Sequence, residues 1–402
     1  MTTNASRWRA RSRPLALLTL LAAGALLPAP AAAQDSVRTI LGFLLTNRSV
    51  VTGDFERDEA ALRATSDAIG RALQLEVATL PLGSSSGAFT YRFNPALGTS
   101  ERASTNFGAF FVERAVTAGR GRASFGLSVR YNRFERLDGT RLRDGSLVTT
   151  ANQFADEPRA FDQESLRLRL DTAVATGFLG VGLTDWLDVS VAVPVVSLRL
   201  EGERFDNFRG QDTLQASATA EVTGLADIAL RTKVRLGGRH GSGVSLGGEV
   251  RLPTGRRDDL LGAGRATYRG LVIASLEGQA AALAVNAGYS AGGISDQIDY
   301  GVNLALSPAA RLTISAEAFG RRIEAGGRLA PLSLPHPTIS GVHTTRLAQE
   351  DGRLLTGAAV LGVKWNVAGA WLLGANVLAP LGSRGLQADY SPSVALEYAF
   401  GR

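Results

Sequence analysis

From about Ser84 onward the chain is built of long segments in which apolar and polar residues strictly alternate, a period that a helix cannot use. Phe125, Leu127, Val129 and Tyr131 alternate with Ser124, Gly126, Ser128 and Arg130. Leu166, Leu168, Leu170, Thr172, Val174 and Phe178 alternate with Arg167, Arg169, Asp171, Ala173 and Gly177. Ile228, Leu230, Thr232, Val234 and Leu236 are interleaved with Asp227, Arg231, Lys233 and Arg235. Similar runs pass through Val302 and Asn303 and through Val363 and Lys364. Many of these runs last about 10–15 residues, which suits a tilted membrane strand of about 9–11 residues with a rim. Sandwich strands are nearer 5–6.

The connections also alternate. Short ones fall at Thr184-Asp185, Gly237 to Gly243, Gly278-Gln279, Ser307 to Ala310 and Ala368 to Ala370. Long ones fall at Glu135 to Asp162, Glu201 to Leu214, Pro253 to Ala266, Arg321 to Arg353 and Leu381 to Ala388. Short turns on one side and long loops on the other are the mark of an outer-membrane β-barrel. The expected fold is therefore an all-β transmembrane barrel of antiparallel strands with a short helical N-terminal segment. Counting from Ser124 gives about twelve strands, and a hairpin through Phe89 to Phe93 and Phe107 to Phe111 raises this to about fourteen, both even as such barrels require. Fourteen is the favoured count, because Ala118 to Gly121 looks like one more short turn. The chain ends on an alternating apolar strand, Val394, Leu396, Tyr398 and Phe400, resembling the signal read by the barrel-assembly machinery.

The first residues predict export. Arg7, Arg9, Arg11 and Arg13 precede an apolar run from Leu15 to Leu27, and Ala31-Ala32-Ala33 provides small residues for cleavage. The apolar run is too short to span a bilayer. Residues 1–33 are thus expected to be a signal peptide cut after Ala33, on the way to the outer membrane of a Gram-negative cell. Residues 34–83 form a helical segment and residues 84–402 the barrel. In the helical segment, Val37, Ile40, Leu41, Leu44 and Leu45 have helical spacing, and a second helix runs from Phe55 to about Glu76 with Asp54 as N-cap. Its apolar stripe of Phe55, Leu62, Ile69, Leu73 and Val77 is narrow, so it touches something along one seam. It is expected either to plug the barrel, with Arg57, Arg63 and Arg71 meeting acids such as Asp227 or Glu249, or to hang in the periplasm.

Composition narrows the function. There are no cysteines, so neither a disulfide framework nor thiolate chemistry is available. The formal charge of +6 falls to about +2 without the four leader arginines, and no nucleic-acid partner is implied. His240, His336 and His343 have no ligand spacing and are expected to be solvent-exposed; no metal and no cofactor follow from them. No strand pairs a serine with a histidine base at one level, so an enzyme is not expected.

Charge facing lipid costs about 2–4 kcal/mol at mid-membrane for Arg or Lys, so the charged side of each strand is assigned to the lumen. The lumen-lining candidates are Arg167, Arg169, Asp171, Asp227, Arg231, Lys233, Arg235, Glu249 and Lys364.

Several motifs together carry a resemblance. They are the stretch Gly87 to Phe93 followed by Phe107 to Arg114, Val181 to Pro194, Gly224 to Leu230, and Leu252-Pro253-Thr254-Gly255. Taken together they resemble the outer-membrane barrels of the phenol meta-cleavage pathway family, linked by analogy to long-chain fatty-acid and aromatic-hydrocarbon channels. The resemblance implies a barrel and uptake of hydrophobic compounds, with no catalytic residues. Two functions are thus open: a passive channel for a small apolar or aromatic molecule, and a structural barrel whose long loops meet lipopolysaccharide or a partner. Outer-membrane lipids surround either one.

Overall fold

The computed structural model describes residues 35–78, 83–85, 89–94, 99–102, 104, 106–239 and 241–401. The expected signal peptide and His240 lie outside them. Two helices come first, α1 (Val37–Leu45) and α2 (Phe55–Ala78). Ser36 caps α1 by accepting from Thr39 N. Asp54 caps α2 by accepting from Arg57 N, as the sequence predicts. A small separate hairpin, β1 (Tyr91–Asn94) and β2 (Thr99–Arg102), follows.

The wall then begins at β3 (Arg122–Leu137), with β4 (Thr140–Arg141) and β5 (Leu147–Phe154) in its first long connection. Next come β6 (Asp162–Gly182), β7 (Leu187–Phe208), β8 (Gln211–Leu225), β9 (Ala229–Gly237), β10 (Gly243–Arg251), β11 (Thr267–Glu277) and β12 (Ala281–Gly292). They are followed by β13 (Gln297–Ala309), β14 (Leu312–Ile323), the hairpin β15 (Arg328–Pro335) and β16 (Val342–Glu350), and β17 (Leu354–Ala368). The chain closes with β18 (Trp371–Leu381), β19 (Leu386–Ala388) and β20 (Ser391–Gly401). All neighbours are antiparallel, and β20 pairs with β3 to close the barrel.

Twelve strands go round the wall, the smaller of the two expected counts. β8 and β9 both pair with β7, so they are one crossing interrupted at residues 226–228. The hairpin needed for fourteen is absent from the wall: β1 and β2 pair only with each other, and residues 106–118 are not strand. The barrel accordingly starts at Arg122 and not near Ser84.

The outward face of the wall is apolar. Phe125, Leu127, Val129, Val302, Leu304, Leu361 and Val363 are all exposed there, while Asn303, Lys364 and Glu317 point in and are buried. Two aromatic girdles bound this belt, as the interfaces of a bilayer favour. Trp186, Trp365, Trp371 and Phe400 stand at the short-turn end; Tyr131, Tyr268, Tyr289 and Tyr300 stand toward the other.

Beyond the second girdle the wall continues. The expected loop from Glu201 to Leu214 is strand up to a tight turn at Arg209-Gly210, and the region from Arg321 to Arg353 carries the β15–β16 hairpin. In this upper storey the polarity of the wall inverts. Leu166, Leu168 and Leu170 on β6 and Leu198 and Leu200 on β7 point inward and are fully buried against Leu41 and Leu44 of α1 and Ile69 and Leu73 of α2. The approach is close enough that a Cβ at Gly202 would collide with the Leu44 side chain. Arg204 donates to the Phe43 and Thr46 carbonyls, satisfying the C-terminal end of α1. The helices therefore sit inside the upper barrel. Phe55, assigned to the seam, is exposed instead.

Candidate functional site

Below the helices, residues 106–118 thread through the barrel as an extended strap. Its backbone groups are met by wall side chains. The Glu317 carboxylate accepts from three successive amides, Phe110 N at 2.5 Å and Phe111 N and Val112 N at 2.9 Å. Asn286 clasps Glu113 from both sides, accepting from its N–H at 2.6 Å and donating to its carbonyl at 2.9 Å. Ala115 N donates to Ser275 at 2.8 Å, and Ser245 donates to the Ala115 carbonyl at 2.6 Å. Lys364 Nζ reaches the Ala109 carbonyl at 2.6 Å and the Phe107 carbonyl at 3.3 Å. At the short-turn end Ala118 N donates to Asp188 at 2.9 Å, and Thr117 Oγ1 donates to the Asp185 carbonyl at 2.7 Å. Six wall strands thus hold a segment that belongs to none of them.

Charges inside the barrel are mostly matched. Lys233, 2% exposed, faces Glu113 of the strap at 3.4 Å and the Arg114 carbonyl at 3.2 Å. Glu249 lies between Arg231 at 2.6 Å and Arg251 at 2.7 Å. Asp227 accepts from Gly255 N at 3.0 Å and Ala263 N at 2.8 Å, pinning the β10–β11 connection to the break between β8 and β9. Arg235 donates to the Ser242 carbonyl at 3.2 Å near a short turn. Of the nine lumen candidates, Asp227, Arg231, Lys233, Arg235, Glu249 and Lys364 stand on the inner side, and Lys233 and Lys364 touch the strap directly. A buried pair such as Lys233–Glu113 holds because breaking it leaves a bare charge in a low dielectric.

Arg167, Arg169 and Asp171 are a correction. They point outward, since the even-numbered residues of β6 fill the interior. They stand above the lipid belt, where outward charge meets water. Arg169 pairs with Glu201 at 3.2 Å across the strands, and Tyr131 donates to Asp171 at 3.1 Å. The helix arginines are also placed differently from expectation. Arg57 and Arg63 pair locally with Asp54 and Glu59, and Arg71 donates to the Ala325 carbonyl. α2 is docked by its acids, Asp58 on Arg346 at 2.6 Å and Glu76 on Arg321 at 2.9 Å. His336 is buried: its Nδ1 accepts from Ile339 N at 3.1 Å, so its Nε2 carries the proton that meets the Val51 carbonyl at 3.1 Å. His343 is exposed as expected. No metal-binding cluster occurs among the described residues.

The strap does not fill the lumen. One chamber, about 80 Å³, lies between Phe111, Val112 and the β10–β14 wall. A second, about 70 Å³, is lined by Phe110, Phe111, Val174, Phe178 and Leu372, with Arg130 and Lys364. A third, also about 70 Å³, lies above them under α2, between Arg130, Phe134, Phe319, Arg321 and Leu386. Shared residues join them: Phe111 the first and second, Arg130 the second and third. Asn286, Ser275 and Arg130 are not singled out by the sequence, and Glu317 is marked there only as one of many inward charges, because inward polar residues look alike until the strap they serve is known. The available signal was the strap itself, whose Phe107 to Ala118 stretch is apolar without regular alternation.

No family model matches the chain, and no curated protein matches it. Among solved structures it is similar to an outer-membrane channel from Pseudomonas putida F1, at 12% identity and TM-score 0.47, over 71% of this chain and 98% of that one. It is also similar to the toluene transporter TbuX of Ralstonia pickettii, at 8% identity and TM-score 0.30, over 70% of this chain and 90% of that one. The monoaromatic hydrocarbon channel CymD matches at 7% identity and TM-score 0.27, over 71% of this chain and 89% of that one. What those proteins carry is a property of theirs.

Proposed function

We propose that this protein is an outer-membrane channel, closed at rest, for passive entry of a small aromatic or otherwise apolar molecule, and that residues 106–118 are its gate. The observation that carries the reading is how the strap is held. Side chains bind it, not a backbone ladder, so it can leave or shift without opening any strand pair of the wall. The chambers on its flanks are lined by Phe110, Phe111, Phe178, Val174 and Leu372, a surface suited to a ring and poor for hydrated ions. In this reading the short-turn end faces the periplasm and the β6–β8 and β15–β16 extensions face outward. Residues 1–33 are the export signal, 34–121 the plug, and 122–401 the barrel inserted by the barrel-assembly machinery. The outward band of Arg167, Arg169, Arg199 and Glu201 above the lipid belt meets lipopolysaccharide. No catalytic step is needed.

Uptake of labelled toluene and phenol by cells with and without the gene tests this. Faster entry with the gene is expected, and glucose entry should not change. Equal entry of the aromatics in both strains, with the barrel present in the outer membrane, overturns the proposal.

A further inference from the structure

Most cations of the interior have a partner. Arg231 and Arg251 share Glu249, Arg269 pairs with Asp299, Arg204 with Glu164, Arg321 with Glu76 and Arg346 with Asp58. Arg130 on the inner face of β3 is different. It is 8% exposed, its Nε has no hydrogen-bond partner, and it makes no ion pair among the described residues. Its aromatic neighbour is Phe111, 5.9 Å from ring centre to guanidinium carbon. Glu76, the acid whose charge acts on Arg130, is ion-paired to Arg321 at 2.9 Å. Two buried cations thus share one carboxylate, which leaves a positive charge that an incoming anion would balance.

Position says what kind of anion. Arg130 stands where the second and third chambers meet. Below it are Phe110, Phe111, Phe178 and Leu372, with Lys364 and Glu397; above it Arg321 lines the chamber with Glu76, and Arg384 stands exposed at its edge. A second orphan lies in the lower chamber: buried Asn376 Oδ1 has no donor. We propose that Arg130 is the binding residue for a small aromatic carboxylate, with the carboxylate on its guanidinium and the ring among Phe110, Phe111 and Phe178. This deepens, and rests on, the reading of the interior as a route for small aromatic molecules.

The chemistry fits at each point. A guanidinium presents two parallel N–H groups to a carboxylate, a match that a neutral hydrocarbon cannot use. One monoanion balances the single positive charge left over by Arg130, Arg321 and Glu76, whereas a multivalent phosphate would meet the apolar wall with charge to spare. The two chambers are about 70 Å³ each, so together they approach the roughly 150 Å³ that accommodates a benzene ring. A ring hydroxyl would supply the donor that Asn376 lacks. Arg384 and Arg321 give the incoming anion a cationic approach from the upper storey.

The test uses the full chain, purified in detergent, with benzoate and benzyl alcohol as probes of the same shape and different charge. Titration calorimetry should show saturable benzoate binding that weakens at least tenfold in Arg130→Met and is partly restored in Arg130→Lys. Benzyl alcohol should bind more weakly and respond little to either change. Unheated gel mobility checks that each variant keeps its barrel. Arg169→Met, an outward arginine, serves as control and should leave benzoate binding unchanged. Benzoate binding that is absent, or that is the same in Arg130→Met, overturns the proposal; so does benzyl alcohol binding as tightly as benzoate. Toluene uptake by cells with and without the gene is read in parallel. If the gene speeds uptake while Arg130→Met leaves benzoate binding unchanged, the site fails and the channel stands. If uptake is the same without the gene and Arg130-dependent binding persists, the site stands and the channel fails.

Discussion

Replacing Glu317 with Gln should unlatch the strap. Glu317 is the anchor with the most bonds: one carboxylate holds the amides of Phe110, Phe111 and Val112. Hydrogen bonds to a charged acceptor contribute about 1.5–3 kcal/mol each, against about 1 for a neutral pair. The glutamine keeps one carbonyl oxygen and turns an NH2 group toward the remaining amide, so all three bonds lose their charge and at least one is lost outright. A loss of about 3 kcal/mol in favour of the held state is a conservative figure, since bonds on one carboxylate are not additive. At 1.4 kcal/mol per factor of ten, the fraction of time spent unlatched rises by roughly 150-fold. Asn286, Ser275, Ser245 and Lys364 still hold the rest of the strap, so brief openings are expected, not permanent ones.

Single-channel recording in planar bilayers reads this directly. The parent protein should be silent or nearly so, and Glu317→Gln should show frequent short openings of one conductance level. The barrel must be intact, which unheated gel mobility checks. Opening frequency equal to that of the parent, in a variant whose barrel is intact, would mean that the strap is not the gate or that Glu317 does not hold it.

Deleting residues 36–80 should by itself raise conductance little, because the strap survives, while the same deletion with Glu317→Gln should raise it more than either change alone. Val302→Arg, in the lipid belt, should cost about 2–4 kcal/mol in unfolding titrations in vesicles, whereas Leu332→Arg, outward on the upper β15–β16 hairpin, should cost far less; the opposite order would refute the placement of the belt. An epitope in the turn at residues 338–341 should be stained on intact cells and one at residues 307–310 should not; equal staining reverses or abolishes the orientation. Burial and the facing Asp206 push the Asp162 carboxyl, at the outer tip of β6, up to about 6. The folded state therefore binds this proton more tightly than the unfolded chain, whose aspartates titrate near 3.9, and its contribution is lost as pH rises from about 4 through 6. Thermal unfolding should show that fall in the parent and a flatter profile in Asp162→Asn.

The outward registers of β3, β9, β13 and β17 were legible because one face of each meets lipid and the other does not. In Val302 and Asn303, or Val363 and Lys364, the cost of charge in lipid is enough to decide the face. The extra hairpin misled for the same reason: Phe89 to Phe93 and Phe107 to Phe111 have a strand's composition, and composition does not say whether a backbone is satisfied by a neighbouring strand or by Glu317 and Asn286. Arg130 could not be distinguished from the other inward arginines, because what marks it is the absence of a partner, a property of twelve strands at once.

The β6 inversion and the helices explain each other. Leu166, Leu168 and Leu170 resemble a lipid face, and Arg167, Arg169 and Asp171 resemble a lumen, only if the strand crosses the membrane along its whole length. It has 21 residues, about twice what a crossing needs. The surplus must stand in water on its outer side, where the penalty that assigned charge to the lumen no longer applies. Inside that surplus the leucines need an apolar partner, and the wall opposite cannot reach them. The helices have the complementary need: Val37, Leu41, Leu44 and Leu45 form a seam that neither water nor a polar lumen would cover. Strand length and helix seam, each an oddity alone, therefore point to one arrangement, with the N-terminal helices inside the part of the barrel that rises above the membrane.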